Sequence, residues 1–79
     1  MQVLFTHMVV FNMIKCRLSI LLAERKLRVA DAARDSGLSK TTLHKLYNEQ
    51  STRIDFETMD RLCRYLNCQV GDLFHFIDE

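Results

Sequence analysis

The chain has no proline, and nearly half of its 79 residues are apolar. That composition excludes a Pro-rich disordered linker and favours a compact helical fold. Charge interrupts every apolar run well short of the about 18 residues a membrane span needs, so no membrane association is expected. The first residues show neither a basic start nor a small-residue cleavage site, which argues against a signal peptide and for a cytoplasmic protein. Cysteine is scarce and odd in number: Cys16, Cys63 and Cys68 fit no disulfide framework. Cys63 falls on an apolar helical face and reads as a small core residue. A metal set of Cys63, Cys68 and His75 matches no common zinc spacing, so no metal is expected. Gly-rich phosphate loops and nucleophile–base pairings at a recognisable spacing are missing too. A chain this short offers little room for a substrate cleft. The expectation is a protein that is not an enzyme, with no cofactor and no small-molecule substrate.

What is present is unevenly distributed charge. The net charge is only +1, but residues 1–53 carry nine Lys/Arg against four Asp/Glu, and residues 54–79 carry two against six. A basic end ahead of an acidic one suits a polarised binding module, although ordinary surface charge gives the same totals.

One small domain is the natural organisation, preceded by a different segment. Residues 1–12 are rich in Val, Phe and Thr and read as an extended, strand-like stretch. A lone strand needs a partner edge, and two copies can pair as an antiparallel ribbon in a homodimer; the last helix, with Leu73, Phe74 and Phe76, is the other candidate dimer surface. Alternatively, Met13 is the natural start and the segment is a leader. From Ile14 the period becomes helical: Ile14, Leu18, Leu21 and Leu22 line one face through Arg25. A second helix is expected over Val29–Ser36 and a third over about Lys40–Tyr47, followed by a polar loop from Asn48 to Arg53. Asp55 caps a fourth helix bearing Phe56, Met59, Leu62, Cys63 and Leu66, and Asn67 is a left-handed stop. A last helix, Val70–Ile77, adds Val70, Leu73, Phe74 and Ile77 to the core.

The stretch from Val29 to Tyr47 carries the most information. Ala32 and Ala33 are small enough to let two helices approach closely. Gly37 can take the positive φ that ends the first of them in a short turn. Leu38 plugs the space between, and Ser39 can cap the next helix, whose buried side holds Leu43 and Leu46. The product is a helix-turn-helix, a unit that offers its second helix to the DNA major groove.

Residues 13–79 as a set resemble the Cro/repressor-type (XRE-like) helix-turn-helix family. Leu18 and Leu22 look like its first-helix core. Ala32-Ala33, Gly37-Leu38-Ser39 and Thr42-Leu43 match its helix-turn-helix signature. Leu62, Leu66-Asn67-Cys68 and Val70-Gly71-Asp72-Leu73 look like its closing segment. The resemblance implies an all-α fold: a compact, lambda-repressor-like five-helix bundle with a central helix-turn-helix, here preceded by the strand-like extension. Two departures stand out. Many members have Thr and Gln where this chain has Arg28 and Val29, and Val29 has no hydrogen-bonding side chain. The usual Asn-Gly after the recognition helix is Asn48-Glu49.

The same resemblance places candidate DNA contacts. Lys40, at the entry to the recognition helix, can donate to guanine O6 or N7, and Thr41 or Thr42 can bond a base or phosphate. His44 and Lys45, one turn deeper, either read a base or lie near the backbone. Asn48 matches a phosphate-binding position, and Arg28, Ser39 and Arg53 are further phosphate candidates, which fix register without reading sequence. Each has a plainer role: Ser39 as a cap, Thr42 turned inward, Lys45 as a solvated lysine, His44 as a bystander. Lys40 and Thr41 are the leading pair. The expected function is a small bacterial or phage-type transcriptional regulator whose homodimer binds duplex DNA at a palindromic operator, with half-sites about 34 Å apart. The competing reading is a protein-interaction module of antitoxin or antirepressor type. In that case Val29 and Glu49 would reflect weakened DNA contact. Salt separates the two, because phosphate contacts weaken steeply as salt rises and an apolar interface does not.

Overall fold

Helix ends in this protein are set by single residues whose chemistry is local. The computed structural model describes residues 13–77; the expected strand over residues 1–12 lies outside them. The described residues run β1 (Ile14–Cys16), α1 (Leu18–Glu24), α2 (Val29–Ser36), α3 (Lys40–Tyr47), α4 (Phe56–Leu66), α5 (Val70–Leu73) and β2 (Phe74–Phe76). Ser39 caps α3 by accepting from the Thr42 amide, and Asp55 caps α4 by accepting from the Thr58 amide at 2.8 Å. Gly37 ends α2 at φ 80°, and Asn67 ends α4 at φ 53°. Both are left-handed residues that turn the chain out of the helix, with capping amides donating to the Ala33 and Cys63 carbonyls. The expected bounds of α2 and α3 therefore hold.

Nine side chains form the buried core among the described residues. Leu18, Leu21 and Leu22 come from α1, Ala32 from α2, and Leu43 and Leu46 from α3; Leu62 and Leu66 from α4 and Leu73 from α5 complete it. Ala32 is fully buried where α2 packs against both α3 and α4, and a larger side chain there would force them apart. The Arg25 guanidinium ties α1 to α4 by donating to the Leu21 and Leu66 carbonyls at 3.2 and 3.1 Å.

The fold is mostly helical but not all-α. Ile14–Cys16 and Phe74–Phe76 form an antiparallel pair in the register Ile14↔Phe76, Lys15↔His75, Cys16↔Phe74. Backbone bonds from Arg17 to the Leu73 carbonyl and from Ile77 to the Met13 carbonyl, both 2.7 Å, extend it at each end. Two expectations are corrected by this sheet. The first helix begins at Leu18 rather than Ile14, and the last ends at Leu73 rather than Ile77. Ile14 sits four residues before Leu18, so its spacing suits helix and strand alike. Long-range pairing with the aromatic Phe-His-Phe run decides for strand. Side-chain placement differs as well: Phe56 and Val70, expected in the core, are exposed. They occupy the first positions of α4 and α5.

Candidate nucleic-acid interface

The orientation of α3 follows from its two ends and its buried side. At its start the Ser39 hydroxyl accepts from the Thr42 amide at 3.0 Å and donates to the Thr42 hydroxyl oxygen at 2.9 Å. Thr42 is half-buried, so it belongs to the cap and the packing side, and its hydroxyl is engaged. Leu43 and Leu46 fix the inward face. At about 100° per residue, the exposed positions Lys40, Thr41, His44, Lys45, Tyr47 and Asn48 then span an arc of about 160°. His44 and Asn48 lie nearest its centre, with Lys40 and Thr41 on either side.

The side chains of Lys40, Thr41, His44, Lys45 and Asn48 make no hydrogen bond or ion pair with any described residue. Among the described residues nothing competes with an external ligand for their donors and acceptors. Tyr47, which is not among the sequence candidates, shares this exposed side at the C-terminal end of α3. Its position three residues after His44 was the signal that would have found it.

The two departures from the family pattern are accommodated structurally. Arg28 precedes α2 and its guanidinium has no acceptor for a helix amide, so it cannot cap as Thr does. Asp31 supplies the other half of a capping box: its Oδ2 accepts from the Arg28 amide at 3.0 Å. That backbone bond, with smaller help from Arg28 and Arg34, holds the Asp31 carboxyl below its ordinary range. The Arg28 guanidinium is 3.9 Å from Asp31, and its side chain is 86 % exposed. A contact that long and wet leaves it available to phosphate.

At the other end of α3, Glu49 takes φ 56°, the left-handed conformation a glycine would adopt without strain. The turn still closes: the Glu49 amide donates to the Leu46 carbonyl at 3.2 Å and the Gln50 amide to the Lys45 carbonyl at 2.7 Å. The Glu49 carboxylate reaches β1, where it accepts from the Cys16 amide at 3.3 Å. Burial, reinforced by the Glu49 charge, raises the Cys16 thiol above its usual pKa. Arg53 is exposed in the loop between α3 and α4 and forms no ion pair among the described residues.

The sequence candidates thus fall into three groups. Lys40, Thr41, His44, Lys45 and Asn48 share one free face of α3. Ser39 and Thr42 build the start of that helix. Arg28 and Arg53 are exposed cations on the flanking segments. The chemistry on offer is a rigid helix end with donors of several lengths and cations beside it, suited to base edges and phosphates. Among the described residues no group of three His, Cys, Asp or Glu side chains is placed to hold a metal ion. No described helix is long and apolar enough to cross a membrane.

Comparison with known proteins bears on the same elements. An uncharacterised HTH-type transcriptional regulator, YozG, of Bacillus subtilis (strain 168) is 29 % identical over 59 residues, covering 75 % of this chain and 70 % of that protein. No solved structure matches the chain. The Cro/C1-type HTH DNA-binding domain profile matches residues 17–79, from just before α1 through β2. Spanning the capped helices, the Gly37 turn and the free face of α3, that match shows that the chain belongs to the Cro/C1-type helix-turn-helix DNA-binding domain family.

Proposed function

We propose that the protein is a sequence-specific transcriptional regulator that acts as a homodimer on a palindromic operator, with α3 lying in the major groove. The observation that carries this reading is the unengaged polar face of α3, held by the Ser39 cap at one end and the Glu49 turn at the other. Lys40 and Thr41, in the first turn, reach base edges first. His44, near the centre of the exposed arc, joins them as a base-reading candidate. Lys45 and Asn48 lie where the helix leaves the groove, and Arg28 and Arg53 anchor phosphates on either side. One domain reads few bases, so two copies on a symmetric site supply the specificity.

Fluorescence anisotropy on labelled duplex DNA tests this. Two or three phosphate-bound cations per protomer (Arg28, Arg53 and Lys45) give a slope of log affinity against log salt of about −4 to −5. Lys40→Ala is expected to cost roughly 1–3 kcal/mol on the preferred sequence and to relax preference at one position. A uniform loss across sequences would instead make Lys40 a phosphate anchor. No binding at low salt by a folded protein would replace DNA regulation with the protein-interaction reading.

A further inference from the structure

Phe56 is 85 % exposed at the first position of α4, an unusual place for the side chain that the helical period assigns to the core. Beside it opens a cavity of about 570 Å³ between the sheet, the end of α3, the following loop and α4. Its apolar walls include Met13, Ile14, Cys16, Met59, Val70 and Phe74. Met59 and Val70 also border the shallow depression that Phe56 lines, so a projecting ring and a cavity are neighbours on one surface. Ile14 and Val70 are themselves about half exposed, at 56 % and 49 %. A contiguous apolar surface of this kind marks an interaction site far better than scattered exposed residues do.

Charge around the two features is complementary. Lys15 and Arg53 line the cavity and form no ion pair among the described residues, while Glu49, also on its wall, is bonded to the Cys16 amide. Next to Phe56 the acids are Asp55, Glu57 and Asp60. Arg61 and Arg64 pair with Glu57 and Asp60, each at 3.0 Å, while Asp55, which caps α4 through the Thr58 amide, has no cation partner among the described residues. The acid lacking a cation thus flanks the knob, and the cations lacking an acid rim the hole. A two-fold interface needs one patch that carries both a projection and its complement.

We infer that this surface joins two copies of the chain, the Phe56 ring of each seated in the apolar cavity of the other and its acidic flank against the partner's Lys15 rim. The inference rests on the dimeric reading above and names the surface that reading leaves open.

The test uses the full chain without DNA. Phe56 is replaced by the photo-crosslinking analogue p-benzoylphenylalanine, and isotopically heavy and light proteins are mixed before irradiation. Mass spectrometry is expected to find heavy–light dimers with adducts at Met13 and Met59. Phe56→Ser removes both buried rings at once, so sedimentation should show the dimer dissociation constant raised at least about 100-fold, with an unchanged helical circular dichroism spectrum. Lys15→Glu should raise it about tenfold. Adducts confined to residues 1–12 of the same chain would show the cavity filled by the chain's own N-terminal segment and overturn the inference. So would a monomer at tens of micromolar, or a Phe56→Ser dimer as tight as the parent. A dimer held by another surface sinks this interface and leaves the DNA reading standing, because salt-dependent DNA binding judges that reading separately.

Discussion

Replacing Gly37 with Ala probes the turn on which the orientation of α3 depends. Gly37 sits at φ 80°, ψ 7°, where a Cβ costs roughly 1–2 kcal/mol. The same methyl restricts the unfolded chain and returns about 0.4–1 kcal/mol. An ideal Cβ would also lie 2.7 Å from Arg61 Nη1, the flexible end of a side chain that donates to the Ser36 carbonyl at 3.3 Å. Moving that guanidinium loses one long, solvent-exposed bond, worth well under about 1 kcal/mol. The net expectation is a destabilisation of about 1 kcal/mol, or a fall in melting temperature of about 4–8 °C for a domain this size. Urea unfolding followed by circular dichroism measures it. Two companion variants separate the causes. Gly37→Asn should cost less than Gly37→Ala, since Asn tolerates the left-handed region. Adding Arg61→Ala to Gly37→Ala should recover little, because backbone strain dominates. An Ala variant as stable as the parent, or full rescue by removing Arg61, would refute the assignment of the cost to Gly37 backbone geometry.

Three further outcomes follow from the caps and turns. Glu49→Gly should stabilise the protein by up to about 1 kcal/mol in urea unfolding, since relief of left-handed strain outweighs the unfolded-state entropy and the 3.3 Å bond to the Cys16 amide; a net loss would mean that bond matters more than the strain. Ser39→Ala should cost about 1 kcal/mol in the same assay, and DNA affinity should fall with it if the start of α3 is the reading end. Hydrogen bonds to Asp31 and Asp55 hold both carboxyls below the usual 3.8. Their contribution to stability is therefore complete above the ordinary aspartate range and lost as pH falls through it to the lower folded-state values. Asp31→Asn with Asp55→Asn should flatten that acid limb in a pH series of thermal melts, and an unchanged limb would place its origin in other groups.

The helical part of the fold was readable because its signals are local. Ser39, Asp55, Gly37 and Asn67 each act on backbone groups within a few residues, and each ends or starts a helix where expected. The β1–β2 pair was not readable, because Ile14 and Phe76 are far apart in the chain and only their pairing distinguishes strand from helix. Phe56 fits the core period of α4 and yet is exposed, since periodicity assigns a face without telling how far the packed partner extends along it. The exposure of Lys40, Thr41, His44 and Lys45 was legible from the helical period, but the engagement of their neighbours was not. Thr42 could be read outward or inward, and only its bonds with the Ser39 hydroxyl put it in the cap. The role of Glu49 depends on a contact with the distant Cys16 amide that no motif encodes.

The most direct measurement is in vitro selection of the folded protein against a random duplex library at moderate salt, with Lys40→Ala and His44→Ala carried in parallel. An enriched palindrome with half-sites about one helical turn apart is expected, with preference lost at defined positions in one or both variants. Absence of any enriched sequence, from a protein that remains folded, would contradict the claim that α3 reads DNA.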